Sequence, residues 1–211
     1  MIKVRNEKES DYKTVEEITR KAFYNLYIPG CVEHYLVHIM RSHKDFIPEL
    51  DFVIEKDGQV IGNVMYTKAK LTNENNEEKE ILTFGPVSIL PKYQRMGYGK
   101  ILLEHSFKEA KELGYDTIVI FGNPGNYVSR GFKSCKKYNV CLENGRFPSA
   151  MLVKELNKDV LSGQKWIYKD SPVMNIKEED AEKFDMNFEK IEKEYRTSQE
   201  EFYIHSQSFI E

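Results

Sequence analysis

Apolar residues recur at helical spacing near the start of the chain: Val15, Ile18 and Ala22 fall three or four positions apart. This predicts a helix over residues 11–24, with Ser10 or Asp11 as its cap and Glu16 and Glu17 in its early turns, toward the positive end of its dipole. Pro29-Gly30 closes that unit, and Cys31, Tyr35 and Ile39 mark the stripe of a second helix over residues 31–42 before Pro48 breaks the pattern. From residue 51 the period changes. Asp51 to Glu55 and Val60 to Tyr66 flank Lys56-Asp57-Gly58-Gln59, and Asp-Gly between two apolar runs predicts a hairpin. Residues 72–80 are polar throughout and predict a solvated loop.

A strand over residues 81–90 follows, then Gln94-Arg95-Met96-Gly97-Tyr98-Gly99-Lys100, then a helix over residues 97–114. That helix turns Leu103, Phe107, Ala110 and Leu113 inward and pairs Glu104 with Lys108 outside. Thr117 to Phe121 is a continuous β-branched and apolar run, the signature of a central strand covered on both faces. Strand, helix and strand in succession imply a parallel pair. After Gly122-Asn123-Pro124-Gly125 the spacing predicts a short helix near residues 126–130 and a β region from Phe132 to about residue 156. In the tail, Ala181, Phe184, Phe188, Ile191 and Tyr195 predict one amphipathic helix over residues 178–201, which must cover an apolar surface of its own domain or of a second subunit.

Composition narrows the function classes. The chain has 211 residues, 40% hydrophobic and 31% charged, which fits a folded globular protein. The net charge of −3 argues against a nucleic-acid partner, whose phosphates need a basic face. No apolar run reaches the roughly 20 residues of a bilayer span, and the opening Met1-Ile2-Lys3-Val4-Arg5 has no signal core, so a cytoplasmic protein without a membrane role is expected. Cys31, Cys135 and Cys141 lack metal spacing, so reduced thiols and no structural metal are expected.

The candidate chemistry lies at the glycine turn. The first amides of a helix have no intrahelical acceptors and sit at the positive end of its dipole, and glycines let an anion approach them. The geometry predicts a phosphate-bearing, nucleotide-type ligand. The pattern lacks the nucleoside-triphosphatase Gly-x-x-x-x-Gly-Lys-Ser/Thr and the dinucleotide order Gly-x-Gly-x-x-Gly.

The Gln94-x-x-Gly97-x-Gly99 turn after the Gly85-Pro86-Val87-Ser88-Ile89 strand, with Tyr127-x-x-x-Gly131-Phe132 downstream, resembles the GNAT superfamily of acetyl-CoA-dependent N-acetyltransferases. Val4-Arg5, Asp11 and Ala22-Phe23 are similar to that superfamily's first strand and helix. Gly122-Asn123-Pro124, Arg130-Gly131-Phe132 and Ala150 to Leu156 resemble a bacterial subfamily with an extended C-terminus. The resemblance covers residues 1–170 and implies an α/β fold with a mixed parallel and antiparallel sheet flanked by helices. Residues 171–211 are then a C-terminal helical extension.

The resemblance also implies a site. Acetyl-CoA would lay its pyrophosphate on the amides of Arg95, Met96, Gly97, Tyr98, Gly99 and Lys100. Its pantetheine arm would pair with Val87, Ser88 and Ile89 as an added strand, with Asn123 and Asn126 as further contacts. Pro86, which has no amide donor, favours a bulge that splays strand 81–90 from strand 117–121. An amide of Val87 or Ile89 would hold the thioester oxygen as charge develops, and Tyr127 would reprotonate the leaving sulfur.

The base is open, because residues 81–92 contain no Asp or Glu; Glu33, His34 and His38 on the second helix are the candidates. Tyr24, Tyr27 and Tyr35 either line the same cleft or pack. The expected reaction is direct acetyl transfer to a primary amine of a small molecule or protein, by a monomer or homodimer. The competing reading is an acyl-CoA sensor or partner subunit without turnover.

Overall fold

The computed structural model describes all 211 residues. Its first strand, β1 (Ile2–Asn6), leads through a 3₁₀ turn into helix α1 (Tyr12–Phe23), and α2 (Glu33–Met40) follows. Asp11 does not cap α1 with its side chain. Its carboxylate instead accepts the Lys8 amide and two bonds from the Arg5 guanidinium at 2.6 and 3.1 Å. Residues Val15 and Ile18 of α1 meet Leu36, Val37 and Met40 of α2 in a core shared with Val53, Val60 and Met65 of the sheet.

The hairpin forms as expected, from β2 (Phe52–Lys56) and β3 (Gln59–Asn73), with Asp57 and Gly58 in the turn. Strand β3 is longer than its apolar run. It extends to Asn73, and β4 (Glu78–Ile89) starts at Glu78, so the predicted loop over residues 72–80 shrinks to residues 74–77. Polar residues at the outer ends of these strands alternate with buried ones: Leu71 and Ile81 are fully buried while Lys70 and Glu80 are exposed.

Helix α3 (Tyr98–Glu112) buries Leu102, Leu103, Phe107 and Ala110. Leu113 is half exposed, beyond the last turn, and the outer ion pairs are Lys100 with Glu104 and Lys108 with Glu112. Strand β5 (Thr117–Phe121) is parallel to β4, as the strand-helix-strand order implies. Its Ile118 and Ile120 face α3, whereas Val119 faces a second cluster with Cys135, Val140, Met151, Val153, Trp166 and Tyr168. After short helix α4 (Pro124–Tyr127), strands β6 (Lys133–Ser134), β7 (Val140–Cys141), β8 (Met151–Glu155) and β9 (Trp166–Lys169) complete the sheet.

The strand order is β1-β2-β3-β4-β5-β8-β6, with β9 pairing antiparallel to β3 and parallel to β7. Strand β9 was not expected from its local pattern. It continues the edge of β3 where β2 ends and supplies the apolar cover that Val119 needs.

The tail corrects the expectation of one helix over residues 178–201. Helix α5 (Glu178–Asp185) stops early, residues 186–196 are irregular, and α6 (Thr197–Gln207) follows. Side chains just after α1 take the backbone groups that a helix would use: the Tyr24 hydroxyl donates to the Ile191 carbonyl, Asn25 Nδ2 to that of Glu192, and the Glu194 amide donates to Asn25 Oδ1. No helix is long and apolar enough to cross a membrane.

Candidate active site

Strand β4 carries the central feature. Val64 pairs with Val87 and Tyr66 with Phe84, so Gly85 and Pro86 together oppose Met65 alone. This is the bulge expected at Pro86. Beside it, β4 and β5 share one register pair, Leu82 with Ile118, after which β5 is bonded only to β8. The two parallel strands therefore splay from residue 84 onward.

The Leu90 amide donates to the Ile61 carbonyl of β3. Because backbone groups alternate sides along a strand, Ser88 also addresses β3, and the amides of Val87 and Ile89 face the open edge. The Ser88 side chain is buried, donating to Thr19 Oγ1 at 3.0 Å, so only its backbone belongs to this edge. Gln94 Nε2 donates to the Ile89 carbonyl at 3.0 Å and joins the edge to the turn that follows.

In that turn Arg95 and Gly97 both have left-handed backbones, with φ of 59° and 90°. A side chain at position 97 would be strained there, and glycine takes the conformation freely. The consequence is a run of free donors. The amides of Arg95, Met96, Gly97, Tyr98 and Gly99 have no acceptor in the protein, and the first bonded amide is that of Lys100, to the Gly97 carbonyl at 3.0 Å. Five successive donors at the N-terminus of a 15-residue helix make a strong anion cradle. The Arg95 side chain is exposed, and Lys100 leans toward Glu104 at 3.7 Å.

Tyr127 ends α4 on the far side of the splayed strands. Its ring packs on Phe84 and Phe132 at centroid distances of 5.9 and 5.7 Å, and its hydroxyl has no protein partner. Burial pushes the phenol well above its ordinary value, Tyr27 adds to the rise and Arg130 opposes it. The turn after Tyr127 is tied down by Lys154, whose Nζ donates to the Arg130 carbonyl at 2.8 Å. Asn123 caps α4, accepting the Gly125 amide at 2.9 Å, and both Asn123 and Asn126 are exposed.

The three candidate bases separate sharply. His34 is fully buried: Nδ1 lies 3.2 Å from Cys31 Sγ and Nε2 lies 3.0 Å from Asp185 Oδ1, with Phe184 and Phe188 against its ring. Desolvation lowers its pKa to about 4, although Asp185 pulls the other way. His38 is paired with Glu16 at 2.9 Å and lies on Phe184. Both rings hold α5 against α2. Glu33 has no side-chain partner: its carboxylate accepts the Val32 amide, and burial raises its pKa to about 7.

The tyrosines divide in the same way. The Tyr24 hydroxyl bonds to the tail and Tyr35 packs on Phe184, whereas Tyr27 stacks on Phe202 of α6 and lies in the fields of Glu33 and Tyr127. The structure thus brings Glu33, Tyr27 and Tyr127 to one side. Sequence reasoning left Tyr27 undecided and missed Phe202, for which α6 carries no periodic signal.

A model described as the acetyltransferase (GNAT) family matches residues 20–133, more than half of the chain. The chain is 26% identical over 161 residues to the uncharacterized N-acetyltransferase YhbS of Escherichia coli, covering 76% of this chain and 90% of the relative. It is 24% identical over 127 residues to the uncharacterized N-acetyltransferase YjhQ of the same species, covering 60% of this chain and 67% of that one. The crystal structure of YhbS in complex with CoA shares the fold with a TM-score of 0.71 at 23% identity, over 83% of this chain and 92% of that one. A GNAT family acetyltransferase from Brucella melitensis in complex with acetyl-CoA shares it with a TM-score of 0.64 at 22% identity, over 83% and 99%.

Proposed function

The chain belongs to the GNAT acetyltransferase family, and on that premise we propose that it transfers an acetyl group from acetyl-CoA directly to a primary amine. The observation that carries the proposal is the run of five unpartnered amides from Arg95 to Gly99, continuous with the open edge at Val87 and Ile89. A pyrophosphate fits the first, and the amide-bearing pantetheine arm fits the second as an added strand. The bound CoA and acetyl-CoA of two structural relatives support the same donor.

Each chemical task has a group. Glu33, with a carboxyl near pH 7, accepts the proton of the incoming ammonium directly or through water. The neutral amine attacks the thioester carbon, and the amide of Val87 or Ile89 holds the oxygen as it becomes negative. Collapse of the tetrahedral intermediate breaks the C–S bond, and Tyr127 offers its O–H to the departing thiolate. Burial keeps the phenol protonated at neutral pH, so its proton is in place when the thiolate departs.

The test is thiol release from acetyl-CoA across a panel of primary amines, with calorimetric titration of CoA. Tyr127→Phe is expected to lower kcat by about 100-fold or more while leaving CoA affinity unchanged. Tight CoA binding with no turnover on any amine would overturn the proposal in favour of a sensor.

A further inference from the structure

Helix α6 has almost no core face. Gln199 is its one buried residue, while Phe202, Tyr203 and Ile204 are 42, 61 and 56% exposed. An isolated helix of this length is marginal, so something other than apolar burial holds it. Polar ties at both ends do so. Ser198 Oγ donates to the Leu26 carbonyl at 2.8 Å and Gln199 Nε2 to the Asn25 carbonyl at 3.1 Å, both in the loop between α1 and α2. At the other end Ser149 donates through Oγ to the His205 carbonyl and through its amide to that of Ser208, and the Ile210 amide donates to the Phe147 carbonyl.

The two anchor loops flank the site. Asn25 and Leu26 precede Tyr27, and residues 147–150 adjoin the end of β5, where the Gly122 amide donates to the Ala150 carbonyl. Helix α6 therefore bridges the loop that carries Tyr27 and the segment 147–150 beside the end of β5. Its Phe202 stacks on Tyr27 with centroids 4.7 Å apart and planes at 28°, and Phe23 lies 5.8 Å from the other ring.

We propose that α6 is the acceptor-selecting wall of the site and that the amine it admits carries a flat aromatic group laid against Phe202 and Tyr27. This rests on the acetyl-transfer reading above. Phe202 is 42% exposed and Tyr27 partly buried, so the outer ring of the stack keeps surface on which a further ring can lie, and Tyr27 sits in the field of Glu33, the group assigned above to take the ammonium's proton. A stacking ring would be held while the amine reaches the thioester, and a small hydrophilic amine would find no purchase there.

The test compares 2-phenylethylamine with ethanolamine as acceptors for the wild type, Phe202→Ala and Tyr203→Ala, with calorimetric binding of 2-phenylethylamine to the CoA-saturated proteins. The wild type should prefer 2-phenylethylamine in kcat/KM. Phe202→Ala should lose at least tenfold of that preference and of the binding, with the KM for acetyl-CoA unchanged, while Tyr203→Ala retains both. Equal use of the two amines by the wild type, or an unchanged preference in Phe202→Ala, overturns the inference and leaves acetyl transfer standing. If no amine turns over, acetyl transfer falls and calorimetry decides for the wall: binding weakened tenfold by Phe202→Ala supports it, and absent or unchanged binding overturns it.

Discussion

A Cβ at position 122 would lie 2.6 Å from Cε2 of Tyr127, so the phenol ring rests directly on the Gly122 backbone at the end of β5. Any other residue there must push the ring away. Gly122→Ala is expected to lower kcat by about 10- to 100-fold through displacement of the Tyr127 hydroxyl, with little change in CoA affinity. Steady-state kinetics beside a CoA titration would check this, and an unchanged kcat would show that the hydroxyl's position is not limiting.

Glu33 sets the expected pH dependence. Its carboxyl is raised to about 7 by burial, and the carboxylate is the active form of a base. The log of kcat should rise with unit slope as pH increases toward 7 and level above it. Glu33→Gln should remove this limb and lower the plateau by about 100-fold or more. Persistence of the limb in the variant would assign it to another group.

Cys31, His34 and Asp185 are arranged like a nucleophilic triad, yet their environment silences them. Burial drives the Cys31 thiol far up and the His34 imidazole down to about 4, so both are neutral at pH 7. Arg20 already binds Asp185 through two hydrogen bonds, at 2.6 and 3.1 Å. Cys31→Ser should keep kcat within about twofold, since direct transfer needs no thiol. Mass spectrometry after acetyl-CoA without an amine should detect no acetylated Cys31; a stoichiometric adduct would require a two-step mechanism.

Asp51 predicts a stability effect away from the site. Its carboxyl is buried with Oδ1 unpartnered, and burial first and the adjacent Glu7 second push its pKa well up, so it holds a proton at neutral pH. The folded protein then binds a proton that the unfolded chain releases near pH 4. This contribution to stability is complete below that pH and is lost as pH rises, with a slope of up to about 1.4 kcal/mol per pH unit. Asp51→Asn should flatten the decline of Tm between pH 5 and 8. An equal decline in both proteins would show that Asp51 is ionised in the fold.

The sequence alone determined the parts whose physics is local. Helical period marked α1 and α3, Asp57-Gly58 marked the hairpin, and the glycine turn after an apolar strand marked the anion cradle, because φ preferences and free helix-end amides depend on neighbours in the chain. Pro86 likewise announced its bulge. Tertiary structure decided what depends on distant partners. Glu33, His34 and His38 share one short helix and were indistinguishable by spacing; only the arrival of Asp185, Phe184 and Glu16 occupied the two histidines and left the carboxyl. The tail read as one helix because its apolar spacing is helical, but Tyr24 and Asn25 captured its backbone and α6 was carried to Tyr27. Periodicity records which residues seek burial, and it does not record which remote group will bury them.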